Sequence, residues 1–253
     1  TWNIRKFFLI IFMALTLLGL MTSMNATAFM AGLHNPLVWP ALRLSFLTTC
    51  ISLSFVVALG APAAWIIARR EGRLVRAIET LVQLPVVVPP AVAGVALLLA
   101  FGRRGALARW VYPEGWSLAF TTAAVVMAQV SVSAPFFLQA AISAFRRVDE
   151  KLIVVARSLG ATPFRIFARV AVPIAAPGLL AGAAMSWTRA LGEFGATLMF
   201  AGNLTGKTQT LPLVIYTALE SDLRAAQALS IVLVMVAFFL LLVVRAGAAR
   251  ASG

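Results

Sequence analysis

Six apolar runs decide what this chain can become: Phe7–Ala26, Leu44–Ala68, Leu84–Phe101, Leu118–Ala140, Gly178–Phe200 and Ala226–Val244. An α-helix needs about 20 predominantly apolar residues to cross a hydrocarbon core of about 30 Å. The runs therefore predict an all-α polytopic membrane protein with six transmembrane helices. Composition agrees, since hydrophobic residues fill 62% of the 253 positions and charged ones only 11%, against about 25% charged in a soluble domain. No soluble domain and no low-complexity linker interrupts the runs, so residues 1–253 read as one transmembrane domain. Within it, 1–40 form an N-terminal helix and outer loop, and 41–245 the core helices.

A net charge of +13 raises nucleic acid as a partner, but the charge does not form one basic face. It clusters in alternate loops. With the N-terminus inside, the inner side carries Arg5, Lys6, Arg69, Arg70, Arg73, Arg76, Arg146, Arg147, Lys151, Arg157, Arg165, Arg169, Arg245 and Arg250. The outer side carries Arg43, Arg103, Arg104, Arg109, Lys207 and Arg224. That asymmetry places both termini in the cytoplasm by the positive-inside rule, and nucleic acid is not an expected partner. Arg5-Lys6, the first apolar run and Ala26–Ala28 also resemble a secretory signal with its cleavage site; the segment is read here as a retained helix. Cys50 is the single cysteine and has no intrachain disulfide partner. His34 is the single histidine, with no Cys or carboxylate near it in sequence, so no metal site is expected. No internal repeat is visible, which counts against transporters built from duplicated halves.

Two spans carry unusual chemistry. The third opens with Pro85, Pro89 and Pro90, which remove backbone donors and bend a helix. Such breaks persist in a membrane only where protein or a watery cavity satisfies the freed carbonyls. Both a kinked packing helix and a wall of a translocation path fit. In the fifth span Gly178 and Gly182 stand four apart, as do Gly192 and Ala196, a spacing that lets helices approach closely. In the same span Arg189 and Glu193 share a helical face. Charged side chains at membrane depth pair, face a cavity, or both, which leaves an internal ion pair, a gate beside an anion path and a proton relay through Glu193 all open. Gly202 to Lys207 superficially matches a phosphate-binding loop, but its spacing is one residue short, no strand precedes it and it lies outside. ATP binding by this chain is excluded on those grounds.

The longest inner segment, Ile142 to Pro177, contains "RSLGATPFRIFARVAVPIAAPG". Leu152, Ile153, Val155, Ala156 and Leu159 form an apolar stripe, after which Gly160 fits a left-handed C-cap. Thr162 suits an N-cap and Pro163 the first helical position. A second short helix then carries Phe164, Phe167 and Val170 or Ala171, flanked by Arg165 and Arg169. A basic amphipathic pair of this kind can rest on lipid headgroups, yet the turn has more geometry than a lipid surface requires.

That segment resembles the cytoplasmic coupling motif of ABC-transporter permeases, through Ala156, Leu159, Gly160, Val172 and Pro173. It departs at the head, where Val154-Val155-Ala156 stands in place of Glu-Ala-Ala. "LPVVVPPAVAG" at Leu84–Gly94, "FGRRG" at Phe101–Gly105, "RALGEFGATLMFAGN" at Arg189–Asn203 and "TQTLPL" at Thr208–Leu213 together resemble the permeases of molybdate and tungstate importers, with sulfate or thiosulfate permeases as near relatives. The resemblance implies a type I importer in the inner cell membrane. Its parts are two permease copies as a homodimer, two cytoplasmic ATPases and an external oxyanion-binding protein; no cofactor is implied, and the permease itself is not an enzyme. It also implies that residues 150–171 are coupling helices, with Ala156, Arg157, Ser158, Leu159, Gly160, Ala161, Thr162, Pro163 and Phe164 meeting the ATPase. The path or gate is expected at Pro89, Pro90, Ser186, Thr188, Arg189, Glu193 and Thr197. Hydroxyls at Thr48 and Thr49 would add donors that bind a dianion weakly enough to release it. The competing class is a proton-coupled transporter using Glu193.

Overall fold

The computed structural model describes residues 2–107, 110 and 117–252. Arg109 lies outside the described residues, as do the side chains of Arg5, Lys6, Arg245 and Arg250. The helices of the described residues run in the order α1 Trp2–Thr22, α2 Ala26–Leu33, α3 Val38–Ala68, α4 Arg73–Val87, α5 Pro90–Phe101, α6 Thr122–Arg146, α7 Glu150–Ser158, α8 Pro163–Leu191, α9 Gly195–Ala201, α10 Leu211–Ser221 and α11 Leu223–Ser252. Three of them, α3, α6 and α8, are long and apolar enough to cross a membrane alone, and α4 with α5 makes a fourth span if counted as one bent unit. The last expected span falls within α11, and the first falls on α1, which ends at Thr22 short of the expected Ala26; α2 and the start of α3 occupy residues expected as outer loop.

The centre of the molecule is the triple contact of α3, α6 and α8. Small residues let these helices close up. A Cβ at Gly60 would meet Phe137 at 2.9 Å, one at Gly178 would meet Ala144 at 2.6 Å, and one at Gly182 would meet Ala140 at 2.7 Å. The Gly178/Gly182 pair thus serves close packing, as its spacing predicts. At the outer end Thr121 caps α6 by accepting from the Ala124 amide at 3.2 Å, and Phe120, at φ +62°, packs its ring against Gly202.

Three sequence expectations need correction. The third span is not one helix over Leu84–Phe101: α4 and α5 meet at a bend of 112° around Val88-Pro89. Two consecutive residues without a backbone N–H, Pro89 and Pro90, leave the preceding turn without ladder donors, so the chain turns instead of kinking. The fifth span is not continuous over Gly178–Phe200 either: α8 ends at Leu191 and α9 restarts at Gly195. Finally, the second coupling helix is not a separate short element. From Pro163 it runs through a π-turn at Phe167–Ala171 directly into Val172–Leu191. Pro173 falls in the first turn after that π-turn, where the ladder re-registers and a missing donor is tolerated.

The helix ends separate the charges. Ten cations, Arg69, Arg70, Arg73, Arg76, Arg146, Arg147, Lys151, Arg157, Arg165 and Arg169, gather at the end where α3 and α6 terminate and α8 begins. Arg43, Arg103, Arg104, Lys207 and Arg224 belong to the opposite end, where α6 begins and α10 and α11 follow.

Candidate functional site

At the basic end, the stretch between α6 and α8 is built by caps. Asp149 opens α7 by accepting from the Lys151 amide at 2.9 Å. The helix closes in a Schellman arrangement: the Gly160 amide donates to the Arg157 carbonyl at 2.9 Å and the Ala161 amide to the Ala156 carbonyl at 3.0 Å. Gly160 has φ +76°, the left-handed geometry that a residue without Cβ adopts at no steric cost. The Thr162 hydroxyl then accepts from the Arg165 amide at 3.3 Å to start α8, with Pro163 in its first turn.

The apolar stripe of α7 divides in two. Ile153 is buried with Ile166, and both join a core cluster that includes Phe137, Phe145 and Ala175 of the bundle. Leu152, Val155 and Leu159 lie on the other side of α7 and are exposed, as is Phe164; Leu159 and Phe164 are 82% and 77% exposed. One face anchors the element while the other leaves apolar side chains exposed, and Arg157, Arg165 and Arg169 of the same stretch are exposed too.

Sequence reasoning missed how the element is tied to the bundle. Arg69, just past α3, donates from Nη2 to the carbonyls of Phe145 and Val148 at 3.1 and 2.8 Å, capping α6. Its guanidinium lies 4.6 Å from the Trp65 ring centroid, and Trp65, Phe145 and Phe167 pack mutually. Burial pushes the Arg69 guanidinium below its ordinary range and the Glu150 carboxylate pulls it back up, so it stays a cation. Glu150 thus supplies a carboxylate at the head of α7, four residues before Val154. Only the basic dipeptide Arg69-Arg70 at a span end hints at this role in sequence.

Deeper in the bundle, the two broken helices meet. A Cβ on Gly195 would lie 3.0 Å from the Ala91 nitrogen and 3.2 Å from Pro90, and one on Gly94 would lie 2.7 Å from Ala196. The break at Pro89-Pro90 is therefore covered by the break at Gly192–Phe194. Glu193 is 1% exposed. Its Oε2 pairs with Arg189 Nη1 at 2.6 Å, and its Oε1 accepts from the Ala196 amide at 2.7 Å, capping α9. Phe194 packs on Tyr216 of α10. Both carboxylate oxygens are engaged, so Glu193 holds the α8–α9 corner together.

The other expected path residues diverge. Ser186 is buried and donates to the Ser133 carbonyl at 3.0 Å. Thr197 is fully buried, its hydroxyl without a protein partner. Thr48 and Thr49 are buried in α3 and bond carbonyls of their own helix, and Thr48 also receives a hydrogen bond from Gln129 at 3.2 Å. Thr188 and Arg189 are half-buried, Pro90 likewise, and Pro89 is exposed. The junction thus gathers Pro89, Pro90, Arg189 and Glu193, while Ser186 and Thr197 turn into protein.

Residues 57–250 match the family model described as "Binding-protein-dependent transport system inner membrane component". The chain is 44% identical over 233 residues, 92% of itself and 88% of the relative, to "Molybdenum transport system permease protein ModB" of Mycobacterium tuberculosis. It is 34% identical to the protein of the same name from Escherichia coli, over 72% of this chain and 80% of that one. Among solved structures, a bacterial ABC transporter that imports the acidic polysaccharide alginate superposes with a TM-score of 0.76 at 15% identity, covering 97% of this chain and 92% of that one. An inward-facing MetNI methionine ABC transporter does so with a TM-score of 0.67 at 19% identity, over 85% and 96%.

Proposed function

This chain belongs to the binding-protein-dependent transport system inner membrane component family, and from that premise we propose that it is the permease subunit of an ATP-driven molybdate or tungstate importer. The likeness to molybdenum permeases over nearly the whole chain carries the substrate assignment. The fold it shares with ABC importer permeases carries the assignment to an importer powered by a separate ATPase. Two copies form the conducting dimer, each crossing the inner membrane six times with its termini and the basic end in the cytoplasm. An external oxyanion-binding protein delivers the substrate at the opposite end.

Residues 150–171 dock the ATPase. The exposed Leu152, Val155, Leu159 and Phe164 enter its groove, and the arginines stay at the rim. Because Ile153 and Ile166 are part of the bundle core and α8 runs unbroken to Leu191, a displacement at the docking face reaches the Arg189–Glu193 corner through one rigid helix. That corner, with Pro89 and Pro90, is the gate. Glu193 is a structural anchor in this reading, since a proton relay needs a carboxylate free to exchange its partners.

Reconstitution with the cognate ATPase and binding protein tests the proposal. ATP-dependent uptake of tungstate or molybdate is expected. Stimulation of ATP hydrolysis only by a sulfate- or thiosulfate-loaded binding protein would overturn the substrate. Uptake driven by a pH gradient with no ATPase present would overturn the class.

A further inference from the structure

Gln139, Ser143 and Arg146 are spaced four and three residues apart on α6, hence on one face, and all three are exposed. A membrane-crossing helix does not offer an amide, a hydroxyl and a guanidinium to lipid; such side chains face protein or water. Across from them α4 brings Glu79 and Gln83, and the two helices enclose a cleft of ≈ 410 Å³ lined also by Arg147. Glu79 is ion-paired with Arg146. Arg147 has no carboxylate partner among the described residues; it lies over Gly178, where an added Cβ would be 3.2 Å from its Nη2.

The charge in this cleft is unbalanced. Two guanidinium groups face one carboxylate, with two amides and a hydroxyl as further donors. A tetrahedral dianion answers both cations at once, whereas Glu79 answers one. At about 30 Å³ per water, the volume admits such an anion with part of its hydration shell. We propose that the cleft is a weak oxyanion subsite at the ATPase-facing end of the permease, in which the Glu79 carboxylate occupies Arg146 until the transported anion displaces it. The inference rests on the importer reading above and adds a place where the substrate pauses before release. The resident carboxylate keeps the site weak, as conduction requires, and re-forms the ion pair once the anion leaves.

Equilibrium binding of tungstate to the purified permease–ATPase complex, alongside tungstate uptake by the fully reconstituted importer, tests this. Glu79→Gln removes the competitor and is expected to tighten tungstate binding about fivefold, the scale of a half-exposed ion pair. It should also make uptake more sensitive to tungstate preloaded inside the vesicles. Arg147→Gln leaves the Glu79–Arg146 pair intact and is expected to weaken binding by a similar factor, while chloride at matched ionic strength does not compete. Unchanged affinity in either variant of an importer that still takes up tungstate overturns the subsite alone. Failure of the wild-type importer to take up any oxyanion overturns the importer reading, and the subsite with it.

Discussion

Glu193 and Arg189 make unequal demands on the protein, and removing them one at a time should reveal it. Glu193 is 1% exposed and uses both oxygens, whereas the Arg189 side chain retains 27% exposure. Breaking a fully buried pair by deleting one partner costs roughly 3–5 kcal/mol, mostly because the remaining charge is stranded. Arg189→Met strands the deeper partner, with only the Ala196 amide left to answer it, so it should cost about 3–5 kcal/mol. Glu193→Gln strands a cation that still touches its surroundings. Its amide can keep the cap on Ala196 but turns a second donor toward the guanidinium, so its cost should be about 2–3 kcal/mol after discounting for exposure. The double variant strands nothing. It should retain only the loss of packing and of charge-assisted capping, about 1–2 kcal/mol.

The measurement is a double-mutant cycle on thermal unfolding of the detergent-solubilised permease–ATPase complex. A chain of this size shifts its Tm by about 2–4 °C per kcal/mol, so the singles separate from the double by several degrees. Strict additivity would show that the two side chains are not coupled. Glu193→Gln costing more than Arg189→Met would refute the ordering argued from exposure. A Glu193→Gln variant of unchanged stability that loses all uptake would refute the anchor reading and favour proton transfer.

Further changes probe the frame around that corner. Gly182→Val places a Cβ 2.7 Å from Ala140 and 3.3 Å from the Phe137 carbonyl; it should cost about 2–3 kcal/mol by forcing α6 and α8 apart, while Gly19→Ala, with nothing within 4 Å, should not lower the unfolding temperature, since Ala is the better helix former. Arg69→Met removes both donors that cap α6 and should lower stability by about 1.5–3 kcal/mol, and it should uncouple ATP hydrolysis from transport more than it weakens ATPase binding. A Cβ on Gly160 meets no atom within 4 Å, so the main cost of Gly160→Val is that of a β-branched residue at positive φ, roughly 1–2 kcal/mol. The variant should insert and fold yet fail to bind the ATPase in pull-down, with Gly160→Asn partly rescuing it; normal ATPase binding by Gly160→Val would show that residues 150–171 only rest on the membrane.

What the sequence disclosed and what it hid follow from the range of the physics involved. Caps are local: Gly160, Thr162 and Pro163 each act on a backbone group within a few residues, so their roles were readable before any fold was known. Gly178 and Gly182 were readable as a packing face because four-residue spacing is a property of one helix. The breaks were not. Pro89 and Pro90 announce that donors are missing, but whether the chain kinks or turns by 112° depends on what covers the freed groups, and the cover is Gly195 on a distant segment. Pro173 shows the converse, a proline that the chain passes without breaking because the π-turn at Phe167–Ala171 absorbs the change of register.

Hydropathy also does not say which way a hydroxyl in a span faces. It counts Ser186 and Thr197 as polar points in a span, but cannot say that Ser186 is spent on the Ser133 carbonyl while Gln139 and Ser143 stand exposed on α6. The direction of a polar side chain on a membrane helix is fixed by its neighbours, and those neighbours come from α3 and α8 for one face and from α4 for the other. The polar face open to an anion in the proposed subsite is therefore the one the bundle leaves uncovered. On α6 that face runs toward the same basic end at which Asp149 begins α7, so the proposed release of the substrate and the proposed engagement of the ATPase would occur within a few residues of each other.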